Sequence, residues 1–313
     1  MTGLGWCYIG VVNSCLEGLK LKAEAECAFC VLHRGFVEIR EATEDPSLQF
    51  KAMSSLLRLL AREFKPTAEP ARLSTMRDRL VRRVTGNPDP YARMKQLNNR
   101  RALELLPMVK NLISRESSVD SRFRKACLCS IVGNVMEFDI PSHAFRFEDM
   151  EEIIQRAEED LAIDEISGIF DAAKRSKRVL FLTDNAGEIA FDTPFVHELK
   201  KLGSYVVVAV KGGPILNDAT VKDAEYVGMD KVADKVITTG TDAVGLILEE
   251  CSQEFLNFYR SANLVVAKGM GYAETLTELD LTSPYALLLR TKCVPIANFF
   301  NVGKDKNVAK LML

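Results

Sequence analysis

The chain has 313 residues (34.9 kDa), with 41 Lys and Arg against 43 Asp and Glu, 47% hydrophobic residues and a mean hydropathy of −0.00. These values exclude a disordered, collagen-like or membrane-spanning protein. Only three histidines (His33, His143, His197) argue against a histidine-rich zinc enzyme, and a formal charge of −2 argues against a dedicated nucleic-acid binder.

The length suggests two domains of roughly 100 to 200 residues each. Residues 1–16 are uncharged apart from the terminus and include the apolar stretch Trp6 to Val12, but this falls short of the ~20 residues a spanning helix needs. They are expected to form a packed or disordered extension reaching to about residue 20. Eight cysteines are too few for a disulfide scaffold and are expected to be reduced thiols of a cytoplasmic protein.

From residue 14 to 175 the periodicity predicts helices, and residues 1–175 are expected to form an α-helical N-terminal domain. Ser47 to Lys65 places Phe50, Met53, Leu56, Leu57 and Leu60 on one side and stops at Pro66. Similar patterns cover Leu73 to Val84, Met94 to Val109 and Phe123 to Met136. Residues 58–125 hold 17 basic and 7 acidic residues, whereas residues 137–165 hold 11 acidic and 2 basic ones. These read first as solvated helix faces, possible partners for one another, and second as a nucleic-acid surface, which the scarcity of interleaved aromatics opposes.

After residue 176 the pattern changes to apolar strands separated by helices: Val179 to Thr183, Tyr205 to Val210, Lys235 to Thr238 and Leu264 to Ala267, with a fifth strand expected in Cys293 to Asn298. A helix with Val244, Leu248, Cys251, Phe255 and Tyr259 on one face is expected between the third and fourth strands. Strands apolar throughout indicate a parallel sheet covered on both faces. Residues 176–313 are thus expected to form a Rossmann-like, doubly wound, mainly parallel α/β domain.

In such a sheet the ligand crevice lies at the carboxyl ends of the strands. Polar groups recur there: Asp184 and Asn185 after the first strand, Asn217 and Asp218 after the second, Gly240 and Thr241 after the third, Lys268 and Gly269 at the fourth. Carboxylate and amide oxygens suit a hard divalent ion, while glycine loops and a lysine suit phosphate. Taken singly, each acid reads equally well as a helix cap and each glycine as a turn. No Walker sequence and no Gly-x-Gly-x-x-Gly follows a strand.

Asp184-Asn185-Ala186-Gly187-Glu188, Lys211-Gly212 with Asn217-Asp218-Ala219-Thr220, Gly240-Thr241 and Lys268-Gly269-Met270-Gly271 resemble the signature blocks of the metal-dependent damage-control phosphatases, formerly a domain-of-unknown-function family. Upstream the resemblance takes in Asp89-Pro90-Tyr91 with Lys95, Gly133-Asn134 and Cys27-Ala28-Phe29-Cys30, the last as in a mostly prokaryotic subfamily; downstream it reaches Leu288 to Cys293. One departure is Tyr272-Ala273-Glu274, where the family carries an Asn-aromatic-Glu pattern.

The resemblance implies a phosphatase acting on phosphate monoesters of damaged or surplus metabolites such as sugar phosphates, phosphopantetheine-type compounds or nucleotides. It places the metal on Asp184, Asn185 and Asp218, manganese first, with nickel, cobalt or magnesium as alternatives. Asp184 and Asp218 are the expected catalytic residues. Glu188, Gly240, Thr241, Lys268, Gly269, Lys95 and Asn134 are the expected phosphate or substrate contacts. Attack comes from a metal-activated water or, alternatively, from Asp184. Cys27 and Cys30 read as a structural pair, with a metal or redox role as alternatives. Competing functions are an S-adenosylmethionine-dependent carboxyl methyltransferase and a non-enzymatic helical module binding nucleic acid or protein. A small phosphorylated metabolite is the expected partner, with no membrane; the sequence leaves the oligomeric state open.

Overall fold

The computed structural model describes residues 21–133, 149–277, 279 and 282–312; the expected extension over residues 1–20 and the candidate Asn134 lie outside them. The chain first builds helices α1 (Ala25–Ala42), α2 (Pro46–Glu63), α3 (Pro70–Thr85), α4 (Ala92–Ser114), α5 (Val119–Gly133) and α6 (Asp149–Glu159). Local chemistry sets their ends. Asp45 caps α2 by accepting from Ser47 N at 2.8 Å, with Pro46 where no donor is needed, and Gly86 closes α3 in the left-handed region at φ 74°.

Strands and helices then alternate: β1 (Leu161–Asp164), α7 (Ile166–Arg175), β2 (Arg178–Leu182), α8 (Glu188–Lys201), β3 (Tyr205–Val210), α9 (Val221–Val227), α10 (Met229–Val232), β4 (Lys235–Thr238), α11 (Gln253–Ser261), β5 (Leu264–Lys268), α12 (Met270–Leu276), β6 (Tyr285–Arg290), α13 (Val294–Phe299) and β7 (Asn307–Met312). They form one seven-stranded sheet in the order β1-β7-β6-β5-β2-β3-β4. Every pairing is parallel except β6 with β7. The expected doubly wound, mainly parallel sheet is therefore present. From β2 the chain winds outward through β3 to the β4 edge, then returns to lay β5 on the other side of β2. That reversal is the topological switch point.

Strand periodicity divides the core. Val179, Phe181, Val206, Val208, Leu264 and Val266 face a core that includes Phe123 of α5 and Phe195 of α8, whereas Leu180, Leu182, Val207, Ala209, Val265 and Ala267 face Phe255, Tyr272 and Ile296 of α11, α12 and α13.

Four expectations need correction. The segment read as wholly helical up to residue 175 contains β1, a four-residue edge strand of alternating burial, too short to register against its helical surroundings. The expected strand in Cys293 to Asn298 is instead helix α13, since Pro295 supplies no ladder donor but suits a first helical turn; the strand lies earlier, in β6. The helix expected from Val244 begins only at Gln253, capped by Ser252, whose side chain accepts from Phe255 N at 3.2 Å. Upstream, Gly245 adopts φ 65° against Gly271 O, which breaks the helical run. On α2, Phe50 and Leu57 are 77% and 51% exposed, and the face packed on the neighbouring helices carries Ala52, Leu56 and Leu59.

The basic stretch is largely neutralised within the chain. Arg124 pairs with Glu158 and Asp164 of the acidic stretch, and other arginines reach the α/β half: Arg79 to Asp242 and Glu250, Arg82 to Asp242, Arg72 to Glu249. Among the described residues no helix is long and apolar enough to cross a membrane.

The burial pattern of α2 makes a direct prediction. Leu56→Ala is expected to cost about 2 to 5 kcal/mol of stability, and Phe50→Ala to fall within about 0.5 kcal/mol of wild type, as read by urea denaturation.

Candidate active site

The switch point brings two loops together through their backbones. Ala219 N donates to Asp184 O at 2.8 Å and Ala186 N to Asn217 O at 2.8 Å, so the segment after β2 is zipped to the segment after β3, with Asn185 opposite Asp218. This pairing sets Asp184, Asn185 and Asp218 side by side. The loop after β5 closes on them from the third side: Gly269, at φ 86°, approaches so closely that a Cβ there would lie 1.9 Å from Asp184 Oδ2.

The side chains are fixed by a chain of hydrogen bonds. Asn185 Nδ2 donates to Asp184 Oδ2 at 3.0 Å and to Glu188 Oε2 at 2.9 Å. That leaves the amide oxygen of Asn185 as an acceptor. Glu188 Oε1 accepts from Lys268 Nζ at 2.6 Å, and the same ammonium donates to Asp192 Oδ1 at 2.7 Å and to Ser130 O at 2.9 Å. Ser130 Oγ also donates to Asp192 Oδ1, at 2.6 Å.

The helical half braces the same loops. Gly187 N donates to Asn99 Oδ1 at 2.7 Å, and Asn99 Nδ2 donates to Asp223 Oδ1 at 2.7 Å, which ties α4 to the loop after β2 and to the start of α9. Asp223 also closes a capping box with Thr220.

A cavity of about 190 Å³ opens above these groups. Asp184, Asn185, Asn217 and Asp218 line it from the sheet. Arg34, Arg77 and Tyr91 line it from the helical half, and Lys292 and Glu274 from the segments after β6 and β5. Arg77 is held by buried Glu38, at 3.1 Å. On the face of the sheet opposite Lys268, Lys211 donates to Gly245 O at 2.7 Å, lies 3.5 Å from Asp218 Oδ2 and sits 4.6 Å from the centre of the Tyr272 ring.

Burial pushes the Asp184 carboxyl well above the usual carboxylate range, helped by the charges of Glu188 and Asp218. Burial also raises Asp218, to about 6, against the opposing pull of Lys211. Among the described residues no group of three or more His, Cys, Asp or Glu converges as a metal cluster. The donor set is smaller: two crowded carboxylates and one amide oxygen. That set fits a hard divalent cation, which takes few protein ligands, completes its sphere with water or phosphate oxygens, and offsets the cost of burying two carboxylates.

The remaining expected site residues are placed elsewhere. Lys268 is fully buried with all three ammonium hydrogens in use and is not presented to the cavity. Glu188 lies beneath Asn185, buried beside it. Lys95 is buried and paired with Asp89 at 2.7 Å. Gly240 and Thr241 follow edge strand β4, two strands from the switch point. There Gly212 N donates to Thr241 O at 2.9 Å, and Thr241 Oγ1 donates to Glu250 at 2.7 Å. A Cβ on Gly212 would meet Gly240 at 2.5 Å, so this region is a close backbone contact. Cys30 lines the cavity.

Sequence reasoning missed Arg34, Arg77, Lys292 and Glu274 as cavity residues. Lys292 and Glu274 fell within quoted blocks without a role, Arg77 lay in the basic stretch read as a solvated helix face, and Arg34 carried no signal beyond its helical surroundings.

Residues 23–308 match the damage-control phosphatase ARMT1-like domain. A protein of Methanocaldococcus jannaschii described as uncharacterized is 38% identical over 92% of this chain and 94% of its own length. A protein of Archaeoglobus fulgidus named damage-control phosphatase is 35% identical over 93% of this chain and its whole length. The crystal structure of a DUF89 family protein from Pyrococcus horikoshii superposes with a TM-score of 0.83 at 32% identity, covering 93% of this chain and 99% of that one. With the match running through both the helical half and the loops that meet at the switch point, the chain belongs to the damage-control phosphatase ARMT1-like family.

Proposed function

We propose that this protein is a divalent-metal-dependent phosphatase acting on phosphate monoesters of small damaged or surplus metabolites. The observation that carries the reading is the polarity of one cavity, with Asp184, Asn185 and Asp218 at its base and Arg34, Arg77 and Lys292 on its walls. Relatives named damage-control phosphatase support the reaction class.

Asp184, Asn185 and Asp218 would hold the metal, which when bound supplies positive charge against a phosphoryl oxygen and an activated water. The arginines and Lys292 offer N–H donors to the other phosphate oxygens, and in a partly closed cavity such bonds count for more than in water. Asn185 orients Asp184 through its amide, and Gly269 admits the β5 loop against the carboxylate. Water is the nucleophile, because an Asp184 carboxylate already committed to a metal is a poor one. Sugar phosphates, phosphopantetheine-type compounds and nucleotides all present such a phosphate to the cavity.

Lys268 is a positioning residue in this reading: it fixes Glu188, and Glu188 fixes Asn185. Lys268→Met is expected to weaken Mn²⁺ binding about 10- to 100-fold by equilibrium dialysis. It is also expected to lower stability by about 3 to 5 kcal/mol, because Glu188 and Asp192 lose their buried counter-ion. A variant with normal metal affinity and only a raised KM would return Lys268 to direct phosphate contact.

Asp218→Asn removes one metal-facing charge at constant shape. Hydrolysis of p-nitrophenyl phosphate with Mn²⁺ is expected to fall by roughly 10²-fold or more while circular dichroism is unchanged. Normal hydrolysis by this variant, or a trapped phospho-Asp184, would refute the metal assignment or the water mechanism respectively.

The raised carboxyl of Asp218 gives a pH signature. Because its folded value exceeds the unfolded one, the metal-free fold binds more protons than the unfolded chain and loses this contribution to stability as pH rises from about 4 to above 6. Metal binding displaces that proton, so Mn²⁺ affinity is expected to strengthen over the same window. Thermal melts at pH 5 and 7.5, with and without Mn²⁺, measure both: the shift in Tm caused by the metal should be larger at pH 7.5.

A further inference from the structure

The Cys-x-x-Cys motif plays no part in the proposed hydrolysis, yet the structure sets it at the cavity. Cys30 is exposed and lines the cavity wall, and Cys27 lies three residues earlier, half-buried, in the opening turns of α1. Cys27 N donates to Glu24 O at 2.9 Å, which puts this residue in the first turn, where helix geometry is most easily altered. Residues at this spacing share one helix face. Cys27 and Cys293 are both near enough to Cys30 and Glu274 to feel their charges, so thiols and a cavity carboxylate gather at one place. Burial pushes the Cys27 thiol up in part, which leaves exposed Cys30 as the thiol that meets an oxidant first, whereas Cys127 and Cys129 are buried altogether. Accessible thiols react and buried ones do not.

We propose that Cys30 and Cys27 form a reversible disulfide at the cavity wall when a hydroperoxide reaches it, and that closing this bond turns the site off. Cys30 Sγ takes the distal oxygen of the hydroperoxide, the O–O bond breaks, and an alcohol or, from hydrogen peroxide, water leaves. Cys27 Sγ then attacks the sulfenic sulfur, the S–S bond forms, and the oxygen departs as water. The two thiols give up two electrons and two protons, and the peroxide receives them.

Cβ atoms three residues apart in a helix lie about 5 to 6 Å from one another, whereas a disulfide needs about 3.8 Å. Closure therefore tightens the start of α1 by about 1 to 2 Å. Arg34, one turn beyond Cys30 and also on the cavity wall, moves with it. The loss of activity follows from displacing a wall that carries both residues.

The effect on activity rests on the phosphatase reading; the disulfide does not. The full chain is titrated with hydrogen peroxide, quenched with N-ethylmaleimide and mapped by peptide mass, with p-nitrophenyl phosphate hydrolysis followed in parallel. The expected result is loss of two of the eight thiols, a protein lighter by two hydrogens, a linked peptide holding Cys27 and Cys30, and hydrolysis falling in proportion. Dithiothreitol restores both. In Cys27→Ser the reduced protein keeps wild-type hydrolysis, and peroxide leaves oxygen on Cys30 with no linked peptide. Absence of a linked peptide in the wild type, linkage through Cys293 instead, or full hydrolysis by the linked protein would overturn the proposal. If the reduced chain hydrolyses no phosphate ester, the phosphatase reading fails while the peptide map still decides the disulfide.

Discussion

A single buried ammonium organises the base of the cavity. Lys268 Nζ, shielded from water, donates to Glu188 on α8, Asp192 one turn further along the same helix and the carbonyl of Ser130 on α5. Burying a lysine is costly unless its hydrogens are all accepted and its charge is matched, and both conditions are met here. With two carboxylates bound to one ammonium, the cluster is over-compensated, and Glu188 brings negative charge close to Asp184. Asp184 resists ionisation first because of its burial and then because of the Glu188 charge beside it. An anionic base of this kind is unfavourable alone and becomes favourable with a cation above it.

The helical half completes the cavity as well as covering the sheet. Asn99 on α4 fills the donor and acceptor needs of two loops that come from different strands, so the relative position of Asp184 and Asp218 depends on a residue about 85 to 125 positions earlier in the chain. The α3 arginines divide their work by helix face. Arg79 and Arg82 bind the acids after β4 and dock the helix, and Arg77, turned elsewhere and held by Glu38, reaches the cavity. Much of the basic excess that could have signalled nucleic acid is therefore consumed in docking one half on the other.

How much of this was legible in the sequence depended on the kind of information each residue carries. Asp184, Asn185 and Asp218 were readable because a strand-end polar residue near a switch point faces the crevice whatever its neighbours do. Gly240 and Thr241 carry the same local signal, but strand order is not local: β4 is an edge strand, and the segment after it meets the cavity only further along, at Val244 and Gly245. Lys268 shows a subtler limit. It shares its parity along β5 with Leu264 and Val266, which face α5 and α8, and this parity sends the side chain under the sheet's helical cover. A lysine beside a glycine loop reads as a cavity-lining group only if the pleat is ignored.

The same pleat places Lys211. Its parity on β3 is that of Val207 and Ala209, so it goes to the opposite face, towards Tyr272, Gly245 and Asp218. Two lysines at the ends of the strands that flank β2 thus bracket the switch point from opposite sides of the sheet, one under Glu188 and the other beside Asp218. Tyr272, which departs from the family pattern, is the aromatic face on which the second ammonium rests. Each lysine is paired with a carboxylate, and neither lines the cavity. The cations on the cavity wall, Arg34, Arg77 and Lys292, come instead from helices and from the loop after β6, elements whose position only the folded chain defines. Charge within the sheet therefore fixes the acids, and charge from outside the sheet lines the cavity.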